Sequence, residues 1–323
     1  MTAAPYPWLD GVLRQLLGRL AAERMPHALL LSGPSGIGKR ALAEAVAGAA
    51  LCIDRDAQGT ACGRCASCRL HRAGTHPDRM DVTIPEDRTG ILVDQIRELA
   101  EAMGLSRSVG DHRVAVVWPA DAMNPNAANS LLKTLEEPAE RSLMILVSAQ
   151  PSLLPATVRS RCQIVSVTGP DETRARAWLL EQGIAETDLE TLLCLSRGAP
   201  LTAQSLAEEG AVEQWQTLLA DLAALCSGSG GVVATAERWK QQQVGRLIHW
   251  IQIALWEAAR LAMNGHRAAS GAEDLQRLAK TLDLDRILYL QERLADARRV
   301  ARTPVNPQLL LEDVFAELTA GRH

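Results

Sequence analysis

The sequence predicts an α/β fold: a parallel sheet flanked by helices around a phosphate-binding loop, followed by an entirely helical C-terminal half. Three observations carry this. The apolar run His27-Ala-Leu-Leu-Leu31 leads directly into Gly33-Pro-Ser-Gly-Ile-Gly-Lys39, and a helix-forming stretch follows. Short apolar runs then alternate with segments of helical periodicity as far as Val167. Beyond Thr168-Gly-Pro-Asp171 the apolar residues recur at helical spacing, and Gly231-Val-Val233 is the one remaining strand candidate.

Taken in order, Leu9, Val12, Leu13, Leu16, Leu17 and Leu20 repeat at helical spacing, and the His27–Leu31 strand follows. Ala41 to Cys52 is helix-forming, Asp81 to Pro85 is strand-like, and Val93 to Met103 is again helical. Arg113-Val-Ala-Val-Val-Trp118 is a strand buried on both faces, as a central parallel strand is. Asn126 to Glu137 is a helix stopped by Pro138. Ser142 to Ala149 and Gln163 to Val167 complete the strands. Three short helices follow, at Asp171–Gly183, Thr187–Ser196 and Ala199–Glu209. Longer ones lie at Val212–Cys226, Val244–Asn264, Ala272–Leu282, Asp285–Arg302 and Pro307–Ala320, with Ser227-Gly-Ser-Gly-Gly231 as a flexible break. Leu247, Ile248, Ile251, Leu255 and Leu261 form a stripe that fits either internal core or a subunit interface. The domain reading is 1–168 for the sheet domain, 169–209 for a small helical unit, and 210–323 for the longer helices.

The 323 residues are 47% hydrophobic, enough for a sizeable core, and only 3% aromatic. A net charge of −4 excludes a chain that grips nucleic acid through a large basic surface. No basic segment followed by an apolar one opens the chain, and no apolar run is long enough to span a bilayer, so the expected setting is cytoplasmic, without a membrane.

In a phosphate loop, backbone N–H groups and a helix N-terminus cradle the phosphates, a lysine reaches the terminal ones, and the next hydroxyl holds Mg²⁺. Gly33, Gly36, Gly38 and Lys39 supply cradle and cation, but the hydroxyl position is Arg40. A hydrolase also needs acids just after a neighbouring strand. There the sequence reads Trp118-Pro-Ala-Asp121, with Asp121 three residues late and read as a helix cap. Both magnesium-holding elements are damaged, so independent hydrolysis is not expected. ATP or ADP in the loop, and a relic loop retaining only its turn, both remain open.

Cys52, Cys62, Cys65 and Cys68 have the spacing and the ligand count of a closed tetrahedral Zn²⁺ site. His71 and His76 are nearby alternatives not expected to bind, and a redox C-x-x-C or an iron–sulfur cluster are the rivals. Cys162, Cys194 and Cys226 are isolated and read as small buried hydrophobes. Arg159 and Arg161 flank Ser160 after the Ser142–Ala149 strand. A solvated surface is the simpler reading of that pair, and a phosphate on a neighbouring subunit is the sharper one.

These stretches, together with Gly74-Thr-His-Pro-Asp78, Ala127-Ala-Asn-Ser-Leu-Leu-Lys-Thr-Leu-Glu-Glu-Pro138 and Ser160-Arg-Cys162, resemble the delta-prime family of bacterial DNA polymerase III clamp-loader subunits. The resemblance spans nearly all of the first half; in the second it is one of helical layout. It implies an AAA+ fold: a P-loop sheet domain with a zinc module inserted at 52–68, a helical lid, and a helical collar that oligomerises. It implies a hetero-pentamer with three motor subunits (gamma/tau) and one delta subunit, acting on the sliding clamp and primer–template DNA within the polymerase holoenzyme. It also implies a non-hydrolysing stator, with Arg161 carried over as a finger into a neighbouring ATP site. Where motor members carry an acidic pair this chain has Trp118-Pro119, and where they carry a lid arginine it has Gly198-Ala-Pro-Leu201. A catalytically active AAA+ ATPase subunit is the second reading, and a zinc-centred redox or DNA-binding module the third.

Overall fold

The computed structural model describes residues 5–264, 272–301, 303 and 305–320, and it divides into two compact units between Asp171 and Glu172. The first unit opens with a short turn and α1 (Asp10–Ala21), which buries Leu13, Leu16, Leu17 and Leu20. Strand β1 (Ala28–Ser32) runs into the glycine loop and α2 (Lys39–Leu51). Then come α3 (Ala66–Arg72), β2 (Arg79–Val82), α4 (Val93–Met103), β3 (Arg113–Val117), α5 (Pro125–Ser130), α6 (Leu132–Glu136), β4 (Ser142–Ser148), α7 (Ala156–Arg159) and β5 (Gln163–Ser166).

The five strands are all parallel, in the order β2-β3-β4-β1-β5. Register places Leu30 opposite Leu146 and Ile164, and Ala115 opposite Met144. Alternation then sorts the faces. Ala28, Leu30, Ala115, Val117, Met144 and Leu146 join one core with residues of α4 to α7. The intervening Leu29, Leu31, Val114, Val116, Ile145 and Val147 are equally buried, on the side where α2 lies against β1, β3 and β4. Burial on both faces explains why β3 and β4 read as unbroken apolar runs.

The expected helix over Asn126–Glu137 is two pieces. Leu131 keeps helical dihedrals, but its N–H bonds back three residues to Ala128, which tightens the turn. The second piece stops at Glu136, because Glu137 precedes a proline and leaves the α region. Strand β2 lies two to three residues earlier than the sequence suggested, since its ladder with β3 runs from Arg79 to Val82.

The second unit is helical throughout its described residues: α8 (Glu172–Glu181), α9 (Glu186–Leu195), α10 (Pro200–Glu208), α11 (Ala211–Ser227), α12 (Val232–Trp239), α13 (Val244–Asn264), α14 (Ala272–Thr281), α15 (Leu284–Val300) and α16 (Pro307–Thr319). The expected end of one helix at Arg302 lies outside the described residues. Gly231-Val-Val233 is not a strand. Gly231 caps α12, and burial of Thr235, Ala236 and Trp239 along one side of that helix overrides the β-branched preference of the valines. The Leu247–Leu261 stripe of α13 packs within a continuous core that includes Trp215 and Phe315, so it is internal to this unit. No described helix is long and apolar enough to cross a membrane.

Candidate functional site

The phosphate loop sits where β1 ends and α2 begins. Its shape depends on glycines at two contacts. A Cβ on Gly33 would lie 2.1 Å from the Val167 carbonyl oxygen, so only glycine lets the loop pass the end of β5. Gly38 has φ +88° and caps α2 without a capping side chain, and a Cβ there would lie 2.5 Å from the Tyr6 ring. The segment before α1 braces the loop: Trp8 Nε1 donates to the Ile37 carbonyl at 2.9 Å, and the Tyr6 and Trp8 rings stack 5.2 Å apart. Lys39 is only 7% exposed. Its ammonium donates to the Pro34 carbonyl, and no carboxylate among the described residues lies within ion-pair distance. Burial pushes Lys39 down to about 8, against the opposing charge of Asp121.

The two positions that should hold Mg²⁺ touch each other. The Arg40 guanidinium carbon lies 4.7 Å from the centroid of the Trp118 ring. Arg40 is on the first turn of α2 and Trp118 directly follows β3, so the stack bridges the gap where hydroxyl and carboxylate ligands would converge. Asp121 does not cap a helix as expected. Asn124 caps α5, while Asp121 Oδ1 accepts the Ala149 N–H at 3.1 Å and ties the turn after β3 to the end of β4.

The four cysteines come together. Their sulfurs lie within 4.8 Å of one another, with Cys52–Cys65 at 3.9 Å and Cys62–Cys68 at 4.0 Å. Zn–S bonds of about 2.3 Å in a tetrahedron require sulfur separations of about 3.8 Å, so the donor set fits a closed zinc site. Cys52 ends α2 and Cys65 opens α3, which places two ligands on helix termini. The N–H groups of Asp54 and Cys62 donate to Cys52 Sγ, that of Cys65 to Cys62 Sγ, and that of Cys68 to Cys65 Sγ, at 3.3–3.4 Å. Backbone donors at Arg64 and Cys65 bring Cys62 down to about 7, while burial pushes Cys52 and Cys68 up. All four can be thiolates together only beside a cation.

His71 and His76 are engaged elsewhere. His71 Nδ1 lies 3.0 Å from Arg79 Nη1. His76 Nδ1 accepts the Asp78 N–H, and its Nε2 lies 2.8 Å from Ser67 Oγ, which itself donates to the Leu51 carbonyl. That chain of bonds requires the proton on Nε2 and pins the cysteine insertion to the end of α2. Sequence reasoning missed this network and its anchor. Asp78 is 0% exposed. It accepts N–H bonds of 2.7 Å from Ser108, Val109 and Gly110 and pairs with Arg113 at 3.1 Å. Arg113 also donates to the Ala102 and Ser106 carbonyls. The available signal was an arginine opening an otherwise apolar strand, which must find a buried partner. Arg55, within the insertion, likewise went unread: it donates to the Ala49, Ala50 and Cys52 carbonyls at the end of α2 and pairs with Asp111 at 2.6 Å.

Arg161 lies in the turn between α7 and β5, with its side chain 35% exposed. It pairs with Glu136 at 2.5 Å and donates to the Thr157 carbonyl. Arg159 is half-buried, and its Nε has no hydrogen-bond partner among the described residues. The loop, the cysteine cluster and Arg161 are thus three separate places on the first unit, each held by its own contacts.

Residues 9–171 match the family described as DNA polymerase III, delta subunit, and residues 209–319 match the C-terminal part described under the same name. The DNA polymerase III subunit delta' of Pseudomonas aeruginosa is 36% identical over 321 residues, covering 97% of this chain and 96% of the relative. This chain belongs to the DNA polymerase III delta' subunit family. The Escherichia coli (strain K12) subunit delta' is 30% identical, covering 97% of this chain and 95% of the relative. A solved DNA polymerase III gamma subunit-related protein from Thermotoga maritima covers 96% of this chain and 98% of its own, with a TM-score of 0.50 and 16% identity, a likeness of fold. With the parallel five-stranded sheet, the first unit is an AAA+-type P-loop domain, followed by the all-helical second unit.

Proposed function

We propose that this chain is a non-hydrolysing stator subunit of the replicative clamp loader. In this reading it sits in a hetero-pentamer with gamma/tau motor subunits and a delta subunit. It helps open the sliding clamp for placement on primer–template DNA, while its neighbours hydrolyse ATP. The observation that carries the reading is the Arg40–Trp118 stack. Phosphoryl transfer depends on a metal bridging the terminal phosphates and on acids that hold it. Here a fixed positive charge and an indole stand at both places.

Within that assembly Arg161 serves as an in-trans finger. A finger must be positively charged, close to the surface and held in place before the partner arrives. A guanidinium 35% exposed and pre-oriented by Glu136 meets those needs. Opening the Glu136 pair costs little, because exposed pairs contribute roughly 0.2–1 kcal/mol. A structural Zn²⁺ on Cys52, Cys62, Cys65 and Cys68 locks the end of α2 to α3, and so stiffens the helix that starts at the phosphate loop. Residues 169–209 act as the lid and 210–323 as the collar.

The test is phosphate release from the purified chain with Mg²⁺-ATP, followed by reconstitution with candidate motor and delta subunits. No turnover alone, together with clamp-loading activity only when this chain is present, is the expected result. Turnover by the isolated chain at a rate typical of motor ATPases would establish an active AAA+ ATPase instead.

A further inference from the structure

The N-terminal edge of the sheet carries a cavity that neither the phosphate loop nor the cysteine cluster explains. Its volume is about 260 Å³, and it lies where the segment after α1, the cysteine insertion and the approaches to β3 and β4 converge. Ligands of parallel sheets ordinarily sit beyond the opposite, carboxyl ends of the strands, so the features of this edge need their own account.

Two of its walls place a charged residue where the backbone favours glycine. Glu23 (φ +52°) stands just past the end of α1, in a motif closed by the Arg24 N–H on the Arg19 carbonyl. Arg141 (φ +53°) is third in a four-residue turn closed by the Ser142 N–H on the Ala139 carbonyl. A left-handed backbone is costly for any residue with a Cβ, so at both positions the side chain, not the turn, accounts for the choice. The two side chains meet on the solvent side of the cavity, with Arg141 Nη2 3.7 Å from Glu23 Oε1. That contact is loose, and the Glu23 side chain is 81% exposed.

Deeper in, the charges do not balance. One carboxylate, Asp111, serves two guanidiniums, Arg55 at 2.6 Å and Arg141 at 2.7 Å. Arg55 is also committed to the Ala49, Ala50 and Cys52 carbonyls, whereas the Nη2 end of Arg141 has only the loose Glu23 contact among the described residues. Two imidazoles complete the walls. His27 Nε2 and His112 Nδ1 are buried without a hydrogen-bond partner among the described residues, the latter 3.1 Å from Asp111 Oδ2 without bonding it. Buried polar atoms in that condition point to a partner that completes them.

We propose that this cavity binds a small oxyanion, a phosphate or a short dicarboxylate, on the Nη2 end of Arg141, with Glu23 as a side-chain gate whose carboxylate holds the place until the ligand displaces it. The planar guanidinium presents paired donors to such an anion and stays charged at every working pH. The imidazoles of His27 and His112 add ring N–H donors once their tautomers adjust. The cavity has room for roughly eight water volumes, which suits a free small anion. This inference stands independently of the stator reading.

The test is calorimetric titration of the full-length chain with inorganic phosphate and, separately, with malonate, at fixed ionic strength. Binding of at least one probe is expected. Tighter phosphate would identify a tetrahedral oxyanion as the ligand, and tighter malonate a carboxylate; either supports the proposal. Arg141→Gln should weaken binding by about tenfold or more, the loss of a charge-assisted contact. Glu23→Gln removes the competing carboxylate and should tighten binding roughly two- to fivefold, the scale of an exposed ion pair. Thermal unfolding checks both folds; Glu23 is so exposed that its variant keeps its structure, and its result decides the matter if Arg141→Gln does not fold. No binding of either probe at millimolar concentration, an affinity unchanged in Arg141→Gln, or an affinity unchanged or weaker in Glu23→Gln would each overturn the proposal. An anion indifferent to both substitutions would be bound elsewhere on the chain.

Discussion

Arg40 and Trp118 are 78 residues apart in sequence and stack with 4.7 Å between guanidinium carbon and ring centroid. Each stands where a hydrolysing subunit would place a magnesium ligand, so the two departures from the motor pattern are one structural feature. Trp118 is 37% exposed, and a partly wet cation–π contact is worth about 0.5–1 kcal/mol. Trp118→Ala should therefore lower the unfolding free energy, measured by urea titration, by no more than that, and should create no ATPase activity, because the hydroxyl ligand is still missing.

Arg161→Ala should leave the chain folded and the assembly intact, since the lost Glu136 pair lies at the surface. At the neighbouring ATP site proposed for Arg161, hydrolysis should fall by roughly 10³-fold or more, the usual worth of an arginine finger. Single-turnover phosphate release from the reconstituted complex is the measurement, and an unchanged rate at that site removes the assignment. Glu136→Gln, which frees the guanidinium without deleting it, should retain hydrolysis.

Cys65→Ser should abolish stoichiometric zinc, measured by metal analysis of the purified chain. It should also make the 52–72 segment the first to be cut in limited proteolysis, because the proposed metal, together with the Ser67–His76 contact, would hold that insertion to the end of α2. Zinc retained at one per chain would show that the ligand set is wrong.

Asp78→Asn should destabilise the first unit by about 3–5 kcal/mol, since it removes the charge paired with buried Arg113 and turns one of the two oxygens that accept the 108–110 N–H groups into a donor. The acid dependence follows. Burial by itself opposes ionisation of Asp78, but the N–H groups of Gly110, Val109 and Ser108 and the charge of Arg113 outweigh it and hold the carboxyl below the usual range. Its stabilisation is therefore complete above the unfolded value of about 3.9 and is lost as pH falls below that. Urea unfolding at a series of acid pH values should show the loss in the parent chain and not in Asp78→Asn.

A second pH window belongs to the helical unit. Burial brings His249 down to about 4, helped by the charges of Arg197 and Arg298. The unfolded chain, with a value of about 6.5, binds more protons between these limits. Stability of that unit should be level above about pH 6.5 and decline as pH falls toward 4. His249→Gln should flatten the decline, read as unfolding midpoints at pH 7.5 and about 5.

Much of the first unit was legible because its signals are local. The glycine loop, the Val93–Met103 helix and the paired C-x-x-C steps each state their structure within a dozen residues, and the structure places them as read. What went unread was long-range or contextual. Asp121 looked like a cap because a carboxylate beside a turn often is one; only the fold shows it reaching the Ala149 amide just past the end of β4. The valines after Gly231 looked like a strand because β-branched residues favour strands, but no strand occurs among the described residues of that unit for them to join.

By itself, then, the amino-acid order determined the residue types at each chemical position: an arginine for a hydroxyl, an indole for an acid, and four thiols at zinc spacing. Only the tertiary structure decided that Arg40 rests on Trp118, that Asp78 finds Arg113, and that His76 serves as a strut between Ser67 and the Asp78 backbone instead of a metal ligand. The reason is physical. Helix and strand periodicity are fixed by neighbours a few residues away, whereas a buried charge or a stacked cation is fixed by whichever group the completed core carries into reach.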